Sequence, residues 1–275
     1  MSAAVARSEA SSAICFGVVR ASLPGNFDGM LIVLPPSETK APGGEMDGID
    51  VSFPALDPVR AEIMDDLAAL SVDDMMTALK LPATKRDEAA ENLELRTAPV
   101  MPAIYRYTGV LYDALDASSL PSSSLGHLAI GSALFGVVRA GDTIPRYRLS
   151  GGSKLPSRDG NLPTMKARWG SVITDALADQ GFIVDMRSGA YQQLGPASGA
   201  VTVRVESVQD DGSRKVVSHF NKHYKGELAR VLATAPDADS VTDIEGVASI
   251  AEAAGMTVEL PGADSKDPHQ LTLVV

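Results

Sequence analysis

Five consecutive apolar residues, Met30-Leu31-Ile32-Val33-Leu34, run directly into Pro35-Pro36. A run so short and so continuous reads as a strand buried on both faces. Two prolines, each with φ locked and no N–H to donate, end it. Residues 182–186, apolar except for Asp185, form a second strand candidate. A strand without a solvated face needs cover above and below, which binds the chain to a layered α/β arrangement.

The remaining text supplies that cover. Apolar residues recur at helical spacing over 58–70 and 72–81, where Ser71 and Asp74 form a capping-box-like start. Helices are also predicted over 84–95, 102–115, 162–178, 221–234 and 243–254. Residues 128–130 fit a strand or the start of a short helix. Residues 201–208 alternate apolar and polar, a half-solvated strand, and Asp211-Gly212 turns it back into 215–220. Strands over 256–260 and 271–275 close the chain. The expectation is a single α/β domain over 30–275, a mixed sheet with flanking helices. Residues 1–29 are rich in Ser and Ala with only a six-residue apolar run, and read as a disordered extension or a start placed upstream of Met30, not as a secretory signal.

Composition excludes several classes. The only cysteine, Cys15, lies in that extension, so a disulfide framework, a Cys-based zinc site and thiol chemistry in the domain are excluded. No apolar run reaches the ~18–20 residues of a membrane span. No metal or cofactor is expected: His219 and His223 stand four apart without a third ligand. Ser150-Gly151-Gly152-Ser153-Lys154 lacks the spacing of a phosphate-binding P-loop, and no Gly-x-Ser-x-Gly elbow occurs.

The net charge of −11 is unevenly spread. Residues 45–74 carry a net −8 and residues 236–268 a net −7, whereas 139–168 carry +5 and 214–230 carry +4. Charge runs most often mark solvated faces. Here glycines and aromatics accompany the bases, as phosphate contact and base stacking require. Arg139, Arg146, Arg148, Lys154 and Arg168 with Tyr147 and Trp169 form one candidate group; Lys222, Lys225 and Arg230 form the other.

The ordered set of short motifs resembles the bacterial YaaA peroxide stress protein family. Met30 to Pro36 resembles its first strand, and Tyr107-Thr108-Gly109 its Tyr-Thr-Gly segment. Phe135-Gly136-Val137-Val138-Arg139, Asp142 and Tyr147-Arg148-Leu149 resemble its central block. Trp169-Gly170, Ser188 with Tyr191, and Val217-Ser218, Lys222, Lys225-Gly226 and Arg230 follow in order. Two departures mark a divergent, actinobacterial-type branch. Glu38 stands where the family has a loop lysine, with Lys40 two residues on, and Ser150-Gly151 replaces Glu-Met. The resemblance implies a cytoplasmic protein with a helix-hairpin-helix-like element, a basic cleft, DNA binding, and a role in limiting iron-linked hydrogen-peroxide damage. Such an element grips backbone phosphates without reading sequence; residues 131–141 are the candidate.

Two functions remain open. In the first, a non-enzymatic DNA-binding protein contacts phosphates through these bases and Lys40, with Tyr147 or Trp169 stacking on bases. In the second, an enzyme acts on a small phosphorylated or nucleotide-like substrate at residues 34–40, where a strand end opens a pocket and Arg148 clamps an anion.

Overall fold

The computed structural model describes residues 29–217 and 220–275. The expected extension over 1–29, save its last residue, lies outside the described residues, as does His219. Among the described residues the strands are β1 (Leu31–Leu34), β2 (Val100–Pro102), β3 (Leu128–Ser132), β4 (Gly136–Arg139), β5 (Thr143–Pro145), β6 (Ile183–Asp185), β7 (Val201–Val208), β8 (Arg214–Val216), β9 (Thr257–Glu259) and β10 (Gln270–Val274). The helices are α1 (Asp57–Ala68), α2 (Val72–Ala78), α3 (Arg86–Glu91), α4 (Ala103–Arg106), α5 (Val110–Leu115), α6 (Met165–Trp169), α7 (Val172–Ala178), α8 (Gly189–Gln192), α9 (Asn221–Thr234) and α10 (Ile244–Ala253).

Every side chain of β1 is buried, as the unbroken apolar run requires. β1 is also hydrogen-bonded on both edges, to β3 through Ile32↔Leu128 and Leu34↔Ile130 and to β6 through Ile32↔Val184, both parallel. The main sheet runs β4-β3-β1-β6-β7-β10-β9, with β8 on β7 and with β4, β8 and β9 antiparallel to their neighbours. β2 and β5 pair separately. The fold is therefore a mixed α/β domain. Strand order places β3 and β6 on opposite sides of β1, so the chain leaving β1 and the chain leaving β6 diverge. That divergence opens a crevice at the carboxyl ends of these strands.

Two predicted helices break where glycine permits it. The stretch 102–115 splits into α4 and α5, because Tyr107 turns extended and Gly109 adopts φ 104°. The stretch 162–178 splits at Gly170, φ 53°. Residues 131–141, expected to form the helix-hairpin-helix-like element, instead hold the turn and second strand of the antiparallel β3–β4 hairpin, with Ser132 opposite Gly136. The apolar residues there are buried on both sides of the turn, a sheet pattern and not a helical one.

α9 packs on α5 and lies over β1 and β7. Its closest approach is at Gly226, where a Cβ would stand 2.3 Å from the Leu111 carbonyl oxygen. Backbone cannot yield as a flexible side chain can, so Gly226→Ala is expected to destabilise the protein by roughly 1–3 kcal/mol through overpacking. A lowered urea midpoint at unchanged slope tests this, and an unchanged midpoint excludes it.

Candidate functional site

The crevice at the carboxyl ends of β1, β3 and β6 collects polar groups from seven segments. After β1, Pro35-Pro36 send the chain across the strand ends, and Lys40 forms an isolated antiparallel bridge with Tyr107, at the break between α4 and α5. The bridge explains the break, since Tyr107 must be extended to make it. Gly109 then passes so close that a Cβ would meet the hydroxyls of Ser37 and Thr39 at 3.4 Å. The hydroxyl of Tyr112 donates to the Pro35 carbonyl at 2.9 Å and anchors the loop from below.

Lys40 is the centre of the arrangement. Its side chain is buried, 7% of the residue being exposed. The Nζ lies 4.2 Å from the ring centroid of Tyr147 and 5.3 Å from that of Tyr107. It donates one hydrogen bond, to the Ser37 carbonyl at 3.0 Å. Burial lowers its pKa from 10.5 to about 7; Glu38 pulls it up and Arg148 pushes it further down. A cation–π contact contributes about 2 kcal/mol or more when desolvated, so the two rings offset part of the cost of burying the ammonium.

Beside the amine is a cluster of hydroxyls. Tyr147 lies 2.7 Å from the Tyr107 hydroxyl and 2.7 Å from Ser132 Oγ, which accepts from the Phe135 N–H at 2.9 Å. Burial raises the pKa of Tyr107 to about 12 and that of Tyr147 well above its ordinary value, so both stay protonated as donors. Tyr191, raised likewise by burial, accepts from the Gly151 N–H at 3.1 Å.

Charged residues line the way out. Arg148 meets Glu38 at 3.1 Å and Glu88 at 3.4 Å, and Arg146 meets Glu91 at 2.7 Å and Glu88 at 3.5 Å. A cleft of about 260 Å³ opens here, lined by Glu38, Arg148, Ser150 and Ser153 on one side and the 79–82 turn on the other. Behind it Arg187 is buried and bonded bidentately to Asp185, at 2.8 Å from both Nε and Nη2. Gly131 lets that arginine cross the end of β3, where a Cβ would stand 2.7 Å from Arg187 Cδ. Lys225 donates to the Met186 carbonyl at 3.2 Å; burial lowers its pKa against the pull of Asp185.

The predicted residues thus divide. Lys40, Arg146, Tyr147, Arg148 and Lys225 meet at the strand ends, with Lys154 exposed one residue beyond Ser153 and Lys222 exposed in the first turn of α9. Four others bind separate parts of the fold. Arg139 bonds the Gly126 carbonyl and Gln180, towards the amino end of β3. Arg168 is buried between Glu62 and Asp66 at 2.8 and 2.7 Å. Arg230 bonds the Leu115 carbonyl at 2.9 Å. Trp169 is fully buried and donates to the Ala133 carbonyl. Stacking on a base needs an open ring face, and neither Trp169 nor Tyr147, 3% exposed, presents one. Ser132, Glu88 and Tyr191 escaped the reading of the sequence as site residues; Tyr191 alone carried a signal, through its family motif. Among the described residues no group of three or more His, Cys, Asp or Glu side chains is placed to hold a metal, and no helix is long and apolar enough to cross a membrane.

A mixed sheet with polar and charged groups gathered at its parallel strand ends, around a buried lysine and tyrosines, defines a mixed α/β protein with a candidate site at that end. The profile of the peroxide stress protein YaaA matches residues 30–253, and the chain belongs to that family. It is 61% identical over 250 residues to a UPF0246 protein of Corynebacterium efficiens, covering 90% of this chain and 100% of that one. A Streptomyces coelicolor UPF0246 protein is 39% identical over 226 residues (76% and 85% covered), and one from Shewanella sediminis 26% over 228 (74% and 85%).

The lowered pKa has a thermodynamic consequence. Between pH about 7 and 10.5 the unfolded chain holds a proton on Lys40 that the folded chain has released. Stability from this group therefore rises with pH across that window, and below pH 7 the buried ammonium is a full cost. Lys40→Met is expected to melt above the wild type at pH 6, with the difference shrinking towards pH 10. Thermal denaturation of both proteins at the two pH values checks this; an offset independent of pH excludes it.

Proposed function

We propose that the protein is a non-enzymatic, cytoplasmic DNA-binding protein of the hydrogen-peroxide stress response, limiting iron-linked oxidative damage by contacting backbone phosphates at the carboxyl end of the central strands. The observation that carries the reading is that both basic stretches send residues to one end of the sheet. Arg148 reaches the Glu38 carbonyl beyond β1, and Lys225 reaches the Met186 carbonyl beyond β6. Lys154 and Lys222 stand exposed nearby in sequence, with charges open to a polyanion. The strongly acidic remainder restricts binding to this end.

Duplex DNA binding followed by fluorescence anisotropy tests the reading. Affinity is expected to fall steeply between about 50 and 300 mM salt, with each phosphate contact contributing ~0.9 to the log–log slope. The double variant Lys154→Glu, Lys222→Glu is expected to weaken binding about tenfold or more and to flatten that slope. Binding that ignores salt, or ignores both substitutions, overturns it.

One observation favours a second reading, an enzyme acting on a small phosphorylated or nucleotide-like substrate at residues 34–40. Lys40 is an amine buried against aromatic rings, an environment typical of functional lysines. Here Arg148, 17% exposed, takes the anionic group of the ligand.

A further inference from the structure

The strand-end cleft holds an arginine whose backbone is fixed before any ligand arrives. Asn92, fully buried one residue beyond α3, accepts from the Arg148 N–H at 2.8 Å and donates to the Arg148 carbonyl at 2.7 Å. Those two bonds do for Arg148 what a paired strand would do. The guanidinium then meets two carboxylates that differ in exposure. Glu88, 20% exposed, lies 3.4 Å away and is itself held by Lys85 at 2.6 Å and Arg146 at 3.5 Å. Glu38, 53% exposed, lies 3.1 Å away, and among the described residues its carboxylate has no other ion-pair partner. The inner carboxylate is fixed, and the outer one can turn away into solvent.

We propose that the Glu38 carboxylate is a placeholder on Arg148, and that a backbone phosphate of DNA binds by taking its position on the guanidinium. The proposal rests on the reading of this end of the sheet as the one that contacts phosphates, and it adds the residue that decides which phosphates are accepted.

The chemistry of the exchange favours it. Carboxylate and phosphate each offer a guanidinium a pair of oxygens, so either can occupy the same fork of N–H donors. An ion pair with one partner half in water is weak, and little is lost when it opens. Arg148 also donates to the Glu38 backbone carbonyl at 3.1 Å, a bond that does not depend on where the carboxylate points. The arginine therefore keeps its place after the exchange, and it has little freedom left to lose on binding. Ser150, Ser153 and Lys80 line the same cleft and add donors around the incoming group. At about 260 Å³ the cleft is smaller than the ~300–1,000 Å³ that encloses a whole small ligand, which suits one group of a longer chain.

The placeholder sets specificity. A free anion that reaches Arg148 forms one contact while breaking another, so its net gain is small. A polyanion that also meets Lys154 and Lys222, both exposed, forms further contacts that offset the loss. Glu38 thus selects against single phosphates and in favour of a chain of them, by a repulsive element and not by a new attraction.

The test compares wild type, Glu38→Gln, Arg148→Gln and the double variant, each first shown to fold by circular dichroism. Binding of a short DNA duplex is followed by anisotropy at about 100 mM salt. Glu38→Gln is expected to bind about fivefold tighter than wild type or more, and this gain is expected to vanish when Arg148→Gln is also present. A gain that survives in the double variant is relief of charge repulsion alone and overturns the placeholder. If wild type binds DNA and Glu38→Gln binds equally or more weakly, the placeholder falls and the DNA reading stands. Inorganic phosphate at constant ionic strength gives a second readout that needs neither DNA nor an arginine variant. It is expected to raise the melting temperature of Glu38→Gln by about 2 °C or more and to leave that of wild type unmoved. Equal shifts in the two proteins overturn the placeholder. If none of the four proteins binds duplex DNA while phosphate shifts Glu38→Gln alone, the DNA reading falls and the exchange at Arg148 stands.

Discussion

A strand paired on both edges and buried on both faces can be polar only at its ends. β1 is in that position: β3 and β6 take its hydrogen bonds, and all of its side chains are buried. Pro35-Pro36 stop the ladder and force the chain across the strand ends, where it must find partners for its own backbone. It finds them in the segment that would otherwise continue α4, through the Lys40–Tyr107 bridge, the Ala41 N–H on the Arg106 carbonyl and the Thr108 N–H on the Thr39 carbonyl. The broken helix, the close pass of Gly109 and the enclosure of Lys40 all follow from ending one buried strand.

The same economy governs the charges. The acidic stretch 45–74 and the basic stretch 139–168 meet in part: Arg158 pairs with Asp65 and Asp66, Arg168 with Glu62 and Asp66, and Asp142 accepts from the backbone and side chain of Ser52, while Arg146 and Arg148 pair with Glu88, Glu91 and Glu38. Arg214 pairs with Glu259, tying the second basic stretch to the acidic C-terminal one. A buried guanidinium left alone would cost several kcal/mol, so Arg168 needs Asp66 whatever the ligand. Charge counted along the chain therefore overstates what is free to bind. Few of the named bases remain exposed, and these few sit on a body whose net charge is −11.

These two constraints explain what the sequence revealed. β1 and the half-solvated β7 were legible because burial on two faces, or on one, leaves a direct trace in the order of apolar residues. Loop 34–40 and Arg148 stood out as candidates because a strand end and a run of bases are local patterns, and the structure brings them together at one end of the sheet. The break at Tyr107 was hidden, since its cause is a bridge to a residue 67 positions earlier. Residues 131–141 misled because glycines punctuate hairpins of helices and of strands alike. Ser132, Glu88 and Tyr191 are ordinary residues in ordinary contexts and become a site only when the order β3-β1-β6 brings their segments together.

The departure of loop residue 38 from the family pattern can be understood in the same terms. Glu38, half exposed, pairs with Arg148, while Lys40 supplies the amine from two residues further on. The chain bends at Glu38, which leaves that side chain at the surface and turns Lys40 inward. The exchange also changes what surrounds that amine. Glu38 raises the affinity of Lys40 for its proton and Arg148 lowers it. The Glu38–Arg148 ion pair, 3.1 Å apart at the surface, thus holds two opposed influences on the buried amine side by side.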